Sequence, residues 1–219
     1  MKLYGFWRSL ATFRVRTALA LKGMEAEQIS IDILQGKQFT AEYRALNPQS
    51  LVPALVVDGG PPLFQSMAIM EYLEEIQPQP PLLPSDARGR ARVRGLSQIA
   101  VSDGHPLIVP RIRTFLEKEM KLDEAARNKW LAHWTTKALE AIEAHLAGER
   151  ETGRFCHGDS PTIADICLAG QVISAVSYFN CDTSGMPTAM RIYGECMKLG
   201  AFERSHPLKQ AGAPENPAH

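Results

Sequence analysis

The sequence predicts an α/β domain followed by an all-α domain, and three observations support this fold class. Short apolar stretches of strand length alternate with helical patterns up to residue 77, whereas only long helical periodicity is found from residue 85 onward. Between these regions, four of the seven residues at 78–84 are prolines, which neither a helix nor a central strand accommodates. We therefore predict a first domain at residues 1–77, a linker at 78–84, and a helical domain with a C-terminal tail at 85–219.

The first domain is predicted to have the element order β-α-β-α-β-β-α. Short apolar runs bounded by turn residues mark its strands, at residues 2–6, 27–33, 54–57 and 62–64. Helical patterns mark its helices, at residues 12–22, 39–46 and 66–76. Gly23 ends the first helix, and Asp58-Gly59-Gly60 form the turn between the last two strands. This order is typical of the thioredoxin-like fold.

The second domain is predicted to contain long helices and no strand. Its helical patterns cover residues 86–119, 124–148, 162–178 and 188–199. The first of these contains Pro106 and Pro110, so we expect a kink or break there. From His206 onward, Pro207, Gly212, Pro214 and Pro217 predict a tail that lies over the surface.

Composition and charge exclude several classes of function. Lys and Arg together number 24, as do Asp and Glu, so a general binder of nucleic acid or anionic membranes is not expected. No apolar run reaches the roughly 18 residues that span a bilayer, and Arg8 precedes any signal-peptide-like segment, so we expect a cytoplasmic protein. The four cysteines and six histidines lack metal-ligand spacing, which predicts reduced thiols and no metal site.

Ser9 is the candidate residue for activating a thiol. It lies between the first strand and the first helix, where a hydroxyl and the helix dipole together stabilise a thiolate. Thr12 is the alternative donor. The competing interpretation is that either hydroxyl is an ordinary helix cap.

Two further features predict that this site holds a short peptide. Gln65 and Ser66 precede the third helix, whose free N–H groups can bind a carboxylate, although a plain cap is the simpler interpretation. Pro53 opens a strand. If the Val52–Pro53 bond is cis, the backbone of Val52 is free to pair with an extended peptide, whereas a trans bond indicates an ordinary strand start. Together with Ser9, these features predict a ligand with a carboxylate at one end and a thiol at the other.

Several segments of the chain resemble one enzyme family. They are residues 6–9, 14–23, 45–48, 52–55, 65–73, 105–107 and 158–165. In these segments the sequence is similar to the zeta class of glutathione transferases, which includes the maleylacetoacetate and maleylpyruvate isomerases. The resemblance implies glutathione transferase architecture, bound glutathione, a homodimer, and a place in aromatic amino acid catabolism.

The resemblance also implies roles for individual residues. Ser9 would contact the glutathione sulfur, and Val52 would pair with its backbone. The other positions implied for the tripeptide are Gln38 near its glycine or cysteinyl end, Gln65 and Ser66 at its γ-glutamyl carboxylate, and His105. Arg8 and Arg111 match basic residues that face an acidic substrate, and Thr162 with Asp165 matches a structural capping box. Asp103 is a candidate contact for a ligand amine across a dimer interface, or else a helix-surface aspartate.

Two departures from the family pattern bear on activity. The family has Ser-Ser-Cys-Ser where this chain has Ser9 followed by Leu10, Ala11 and Thr12, which leaves no cysteine before Cys156. Disulfide exchange through the first domain is therefore not expected. Near Tyr178 the isomerases have an arginine, and a tyrosine cannot form a bidentate charged clamp on a carboxylate.

The resemblance implies a glutathione-dependent cis-trans isomerase of maleyl-type diketo acids, which works by thiolate addition, rotation and elimination. A glutathione transferase or dehalogenase that acts on another electrophile is the alternative. A third hypothesis is a non-catalytic glutathione-binding protein, in which loss of the second serine and the cysteine has silenced the chemistry. The partner common to the first two is a small electrophile, acidic if Arg8 and Arg111 bind it.

Overall fold

The computed structural model describes residues 1–214 and confirms the predicted fold class. Contacts divide the chain into two units. The first contains residues 1–82 together with the described residues from 199 onward, and the second contains residues 83–198. The first unit holds the sheet, whereas the named elements of the second are all helical.

The first unit has the predicted element order. Its strands are β1 (Lys2–Gly5), β2 (Glu27–Ser30), β3 (Ala54–Val56) and β4 (Leu63–Phe64). Its first three helices are α1 (Leu10–Leu21), α2 (Ala41–Leu46) and α3 (Ser66–Ile76). The strands form one sheet in the order β2-β1-β3-β4, where β1 and β2 run parallel and the other pairs are antiparallel.

Apolar side chains on β1, β3, α1 and α3 form the core of the first unit. Leu3 on β1 lies opposite Leu55 on β3, and neither side chain is exposed. Helix α1 packs against α3, and it buries Phe13, Val15 and Ala18. This packing fixes the start of α1, where the chain leaves β1.

A buried ion pair ties the end of α1 to α3 and to the proline-rich segment. Lys22 Nζ donates to Glu74 Oε2 at 2.5 Å and also to the carbonyls of Gln77 and Pro80 at 2.7 and 2.8 Å. Glu74 Oε2 accepts a further hydrogen bond from the Leu82 N–H at 3.0 Å. One lysine therefore holds the chain where it leaves α3.

The second unit contains the predicted long helices, and the expected break near Pro106 and Pro110 is confirmed. Helix α4 (Ala87–Gln98) continues into a π-helical segment (Ile99–Gly104) and a 3₁₀ turn (His105–Leu107), and α5 (Pro110–Lys118) starts anew at its proline. The remaining elements are α6 (Glu124–Gly148), α7 (Ile163–Ile173), a π-helical segment (Ser174–Tyr178) and α8 (Pro187–Met197). Every residue of α7 is buried.

The chain from residue 199 onward differs from the prediction, which assigned it to the helical domain. Helix α9 (Gly200–Ser205) packs against α1 in the first unit and buries Phe202 completely. A 3₁₀ turn (Pro207–Lys209) follows, and its Pro207 is buried. Residues 215–219 of the predicted tail, including Pro217, lie outside the described residues. Among the described helices, none combines the length and apolarity that a bilayer crossing requires.

The capping box predicted for Thr162 and Asp165 is confirmed at the start of α7. Asp165 is fully buried, and its carboxylate accepts hydrogen bonds from the N–H groups of Cys156 and Thr162, both at 2.7 Å, and from Thr162 Oγ1 at 2.8 Å. One side chain therefore satisfies two backbone donors next to the most buried helix of the unit.

We expect Asp165→Ala to lower the free energy of unfolding by roughly 3 kcal/mol, because it leaves buried donors without an acceptor. The matched control is Asp86→Ala, which removes an exposed cap that accepts from the Gly89 N–H at 2.8 Å and costs about 1 kcal/mol. Urea unfolding of the two variants measures the difference. Equal losses of unfolding free energy would show that the buried capping box stabilises the protein no more than an exposed cap does.

Candidate functional site

Ser9 is the N-cap of α1, and its hydroxyl is still able to donate. Its Oγ accepts a hydrogen bond from the Thr12 N–H at 3.2 Å, which uses an acceptor lone pair and leaves the O–H proton free to turn toward a ligand. The residue is half-buried. Capping and donation to a thiolate are therefore compatible roles for this one hydroxyl.

The turn that carries Ser9 is held by Thr12, whose side chain is completely buried. Thr12 Oγ1 accepts from the Phe6 N–H at 3.4 Å, and the Ser9 N–H donates to the Phe6 carbonyl at 3.1 Å. A Cβ added to Gly5 would lie 2.3 Å from Thr12 Cγ2, so this close approach requires glycine. Because Thr12 lies in the core, it is poorly placed to replace Ser9 as the donor to a thiol.

Val52 lies just outside the sheet. The Val52–Pro53 peptide bond is cis, and β3 begins two residues later, at Ala54. The preceding carbonyl, that of Leu51, accepts from Tyr43 Oη at 2.6 Å and from Asn47 Nδ2 at 2.8 Å. Burial raises the pKa of Tyr43 to about 12, so its hydroxyl stays protonated as a donor. The backbone before Val52 is therefore anchored from inside the unit.

Gln65 and Ser66 lie together at the start of α3. Gln65 has a φ of +66°, a value rare for residues other than glycine, and strain of this kind is often found at ligand sites. Its side chain is exposed and donates to Gln49 Oε1 at 3.1 Å. Ser66 is buried, and its Oγ accepts from Arg14 Nε at 3.0 Å. The start of α3 therefore has both an exposed amide and a buried positive charge behind it.

Arg14 is a residue of this site that sequence reasoning did not single out. It lies on α1 with only 3% of its surface exposed. Its neighbours in sequence, Phe13 and Val15, are core residues. The sequence offered one signal for this residue, namely an arginine between two core positions. A guanidinium buried there requires hydrogen-bond partners. Its charge adds to the dipole of α3, and both favour an anion near Ser66.

The side chain of Gln38 has a buried hydrogen-bond acceptor that no donor of the described residues satisfies. It lies in a 3₁₀ turn (Lys37–Phe39) before α2, and its Oε1 is buried with no hydrogen-bond partner among the described residues. Such an orphaned acceptor is costly in a folded protein unless a ligand or water supplies an N–H or O–H. A peptide ligand offers donors of this kind.

Four further candidate residues belong to the second unit and lie at or next to its irregular helical segments. Asp103 is exposed in the first π-helical segment, and His105 is half-buried in the 3₁₀ turn after it. Arg111 is exposed in the first turn of α5. Tyr178 ends the second π-helical segment and lies edge-on to Phe179, with 6.4 Å between ring centroids. Segments of this type are frequent at functional sites.

Arg8 immediately precedes Ser9 and is half-buried in the first unit. The first unit thus brings the candidates Arg8 and Ser9 together at one turn, and Gln65 and Ser66 at another. Gln38 and Val52 lie in separate loops of the same unit.

Comparisons with known proteins match nearly the whole chain. The family model for the glutathione S-transferase N-terminal domain matches residues 1–75, and that for the C-terminal domain matches residues 125–180. A maleylpyruvate isomerase of a Ralstonia species is 44% identical over 210 residues, which is 96% of this chain and 98% of the relative. A maleylacetoacetate isomerase of Pseudomonas aeruginosa is 39% identical over 216 residues, 98% of this chain and 99% of the relative.

Solved structures give the same result. A maleylacetoacetate isomerase from Methylobacterium extorquens AM1, with bound malonate and GSH, has a TM-score of 0.95 and 45% identity and covers 98% of this chain and 100% of its own. A holo maleylpyruvate isomerase, described as a bacterial glutathione S-transferase of the zeta class, has a TM-score of 0.94 and 43% identity with the same coverage.

Proposed function

The chain belongs to the zeta class of glutathione transferases, and from this premise we propose that it is a glutathione-dependent cis-trans isomerase of maleyl-type diketo acids. The observation that carries the proposal is the half-buried hydroxyl of Ser9 at the N-terminus of α1. A hydroxyl donor and a helix dipole at one point are what a thiolate requires at neutral pH.

The residues of the first unit fit glutathione. We propose that Ser9 donates to its sulfur, that the backbone of Val52 pairs with its cysteinyl backbone, and that Gln65 and Ser66 bind its γ-glutamyl carboxylate. The orphaned Oε1 of Gln38 supports the fit, because a tripeptide supplies the N–H that this atom lacks. Arg14 would strengthen the carboxylate site through its hydrogen bond to Ser66.

When bound, glutathione supplies a thiolate that adds to a conjugated cis double bond, permits rotation about the resulting single bond, and leaves again to give the trans product. Ser9 lowers the free energy of that thiolate by donating a hydrogen bond. Arg8 and Arg111 bind the substrate carboxylates and stabilise the negative charge that develops on the substrate. We propose His105 and Asp103 as further contacts to the tripeptide.

Near Tyr178, this site differs from the isomerases that have an arginine in this region. We propose that its hydroxyl donates one hydrogen bond to a substrate carboxylate in place of a bidentate clamp. Leu10 and Ala11 likewise make the turn after Ser9 more apolar than Ser-Cys would. Substrate binding therefore depends more heavily on Arg8 and Arg111.

We expect Arg111→Ala to raise KM for the acidic substrate by roughly tenfold or more, because a charge-assisted hydrogen bond is lost. KM for glutathione should change little. Lys118→Ala, an exposed cation at the other end of α5, is the control and should leave both values unchanged. Steady-state kinetics with each substrate varied in turn measure the effect, and an unchanged KM would remove Arg111 from the site.

The proposed function is tested by following maleylpyruvate and maleylacetoacetate in the ultraviolet with glutathione, without it, and with S-methylglutathione, which has no free thiol. Turnover with glutathione alone supports the proposal. Conjugation of a chloronitrobenzene without isomerisation would instead make the protein a transferase that acts on another electrophile. Tight glutathione binding without either reaction would favour the non-catalytic hypothesis.

We also propose a homodimer in the cytoplasm. Phe64 supports an interface, since it exposes 52% of its surface on the edge strand β4. Cys156, Cys167 and Cys196 are buried free thiols, which fits a reducing compartment. Light scattering should give twice the chain mass of 24.2 kDa, and a monomer would contradict the dimer.

A further inference from the structure

An open cavity of about 640 Å³ lies in the first unit against α1, β2 and α9. None of the residues proposed to hold glutathione lines it. Arg16 of α1 lines it, as do the apolar side chains of Leu19 and Met24 and the guanidinium-bearing Arg204. The cavity is therefore a second concave surface, with charge and apolar area of its own.

Arg16 is the unusual residue of this cavity. Its Nε donates to Gln28 Oε1 at 3.1 Å, and its Nη2 donates to the Phe6 carbonyl at 3.3 Å. Its Nη1 is buried and has no hydrogen-bond partner among the described residues. Both acceptors are neutral, so no carboxylate compensates the charge of this guanidinium in the described part of the chain. A buried guanidinium nitrogen in this situation is costly unless a ligand supplies an acceptor.

Other charged groups also line the cavity. Arg204 adds positive charge, whereas Glu25 and Glu27 add negative charge. Glu27 is already paired with Lys2, at 3.9 Å. Burial lowers the pKa of Arg16 to about 10, so Arg16 remains a cation at neutral pH.

We propose that this cavity binds a small anion that carries a carboxylate or phosphate group, with Arg16 as its principal ligand and Arg204 at its rim. Both groups offer oxygens that a guanidinium binds through two parallel hydrogen bonds. Met24 provides apolar contact for an organic body attached to the charged group. The site is separate from the one proposed for glutathione.

Binding is the appropriate measurement. Activity is a poor one, because the Phe6 carbonyl that Arg16 contacts also accepts the Ser9 N–H, so any change at Arg16 can disturb the turn of Ser9. We would saturate the protein with S-hexylglutathione, to fill the glutathione site, and titrate it by calorimetry with inorganic phosphate and, separately, with benzoate. The two probes distinguish a phosphate site from an organic carboxylate site.

We expect saturable binding of at least one probe with a Kd on the order of 1 mM. Arg16→Gln should weaken it at least tenfold, and Arg204→Gln about threefold, as expected for an exposed charge. Arg150→Gln, an exposed arginine outside the cavity, should leave the Kd unchanged. The Arg204→Gln result keeps the test decisive if Arg16→Gln does not fold.

Two results would overturn the proposal. One is the absence of saturable binding of both probes to the unaltered protein. The other is binding that neither Arg16→Gln nor Arg204→Gln weakens, since the anion would then be held elsewhere.

Discussion

Ser9→Ala is expected to lower kcat/KM for isomerisation by roughly 10²–10³, because it removes a preorganised donor to a developing or resting anion. The pKa of the bound glutathione thiol should rise in the same variant, since the thiolate loses its hydrogen bond. Ultraviolet absorbance of the thiolate, followed against pH in the binary complex, measures this shift independently of turnover.

The loss of a helix cap must be separated from the loss of a catalytic donor. Ser9 also accepts the Thr12 N–H, so Ser9→Ala should cost about 1 kcal/mol of stability as well. Asp123→Ala removes a comparable cap from α6, where Asp123 accepts the Ala126 N–H at 2.8 Å. It should cost similar stability and leave kcat/KM unchanged. If Ser9→Ala kept full turnover and an unshifted thiol pKa, the helix dipole alone would account for activation.

Lys22→Met is expected to lower the free energy of unfolding by about 3–5 kcal/mol, the usual cost of breaking a buried ion pair from one side. The Lys22 side chain is completely buried, and its removal takes the lysine ammonium away from the Glu74 carboxylate and from the carbonyls of Gln77 and Pro80. Urea unfolding measures the loss.

The control for this prediction is Lys137→Met, because Lys137 makes an exposed pair with Glu140 at 2.7 Å. It should change stability by less than about 1 kcal/mol. The double variant Lys22→Met with Glu74→Leu should recover part of the loss, since no unpaired charge then stays buried. A Lys22→Met protein as stable as the unaltered one would show that the buried ion pair does not stabilise the chain where it leaves α3.

Sequence patterns were sufficient for the fold because each element carries its own signal. Alternation and helical period locate β1 to α3 in order, and Pro110 marks the start of α5. What they could not give is the partner of α9. The sequence patterns predict no helix at residues 200–205, and only the packing of α9 against α1, which buries Phe202, assigns this segment to the first unit. That contact joins residues far apart in the chain.

The site residues likewise divide into those that local sequence features predict and those that only the packing reveals. Ser9, Gln65 and Ser66 could be chosen from sequence because a helix N-terminus is a local feature with a known chemistry. Thr12 could not be separated from Ser9, since only the structure shows that its side chain faces Phe6 inside the core. The burial of Lys22 was likewise hidden, because a lysine at the end of a helix usually faces solvent.

In the proposed reaction, glutathione is a catalyst and is not consumed. The most direct test supplies it at a small fraction of the maleylpyruvate concentration and follows both the trans product and the free thiol. Complete conversion with the thiol concentration unchanged is the predicted result. Conversion that stops when the product equals the glutathione added, with matching loss of thiol, would contradict the isomerase account.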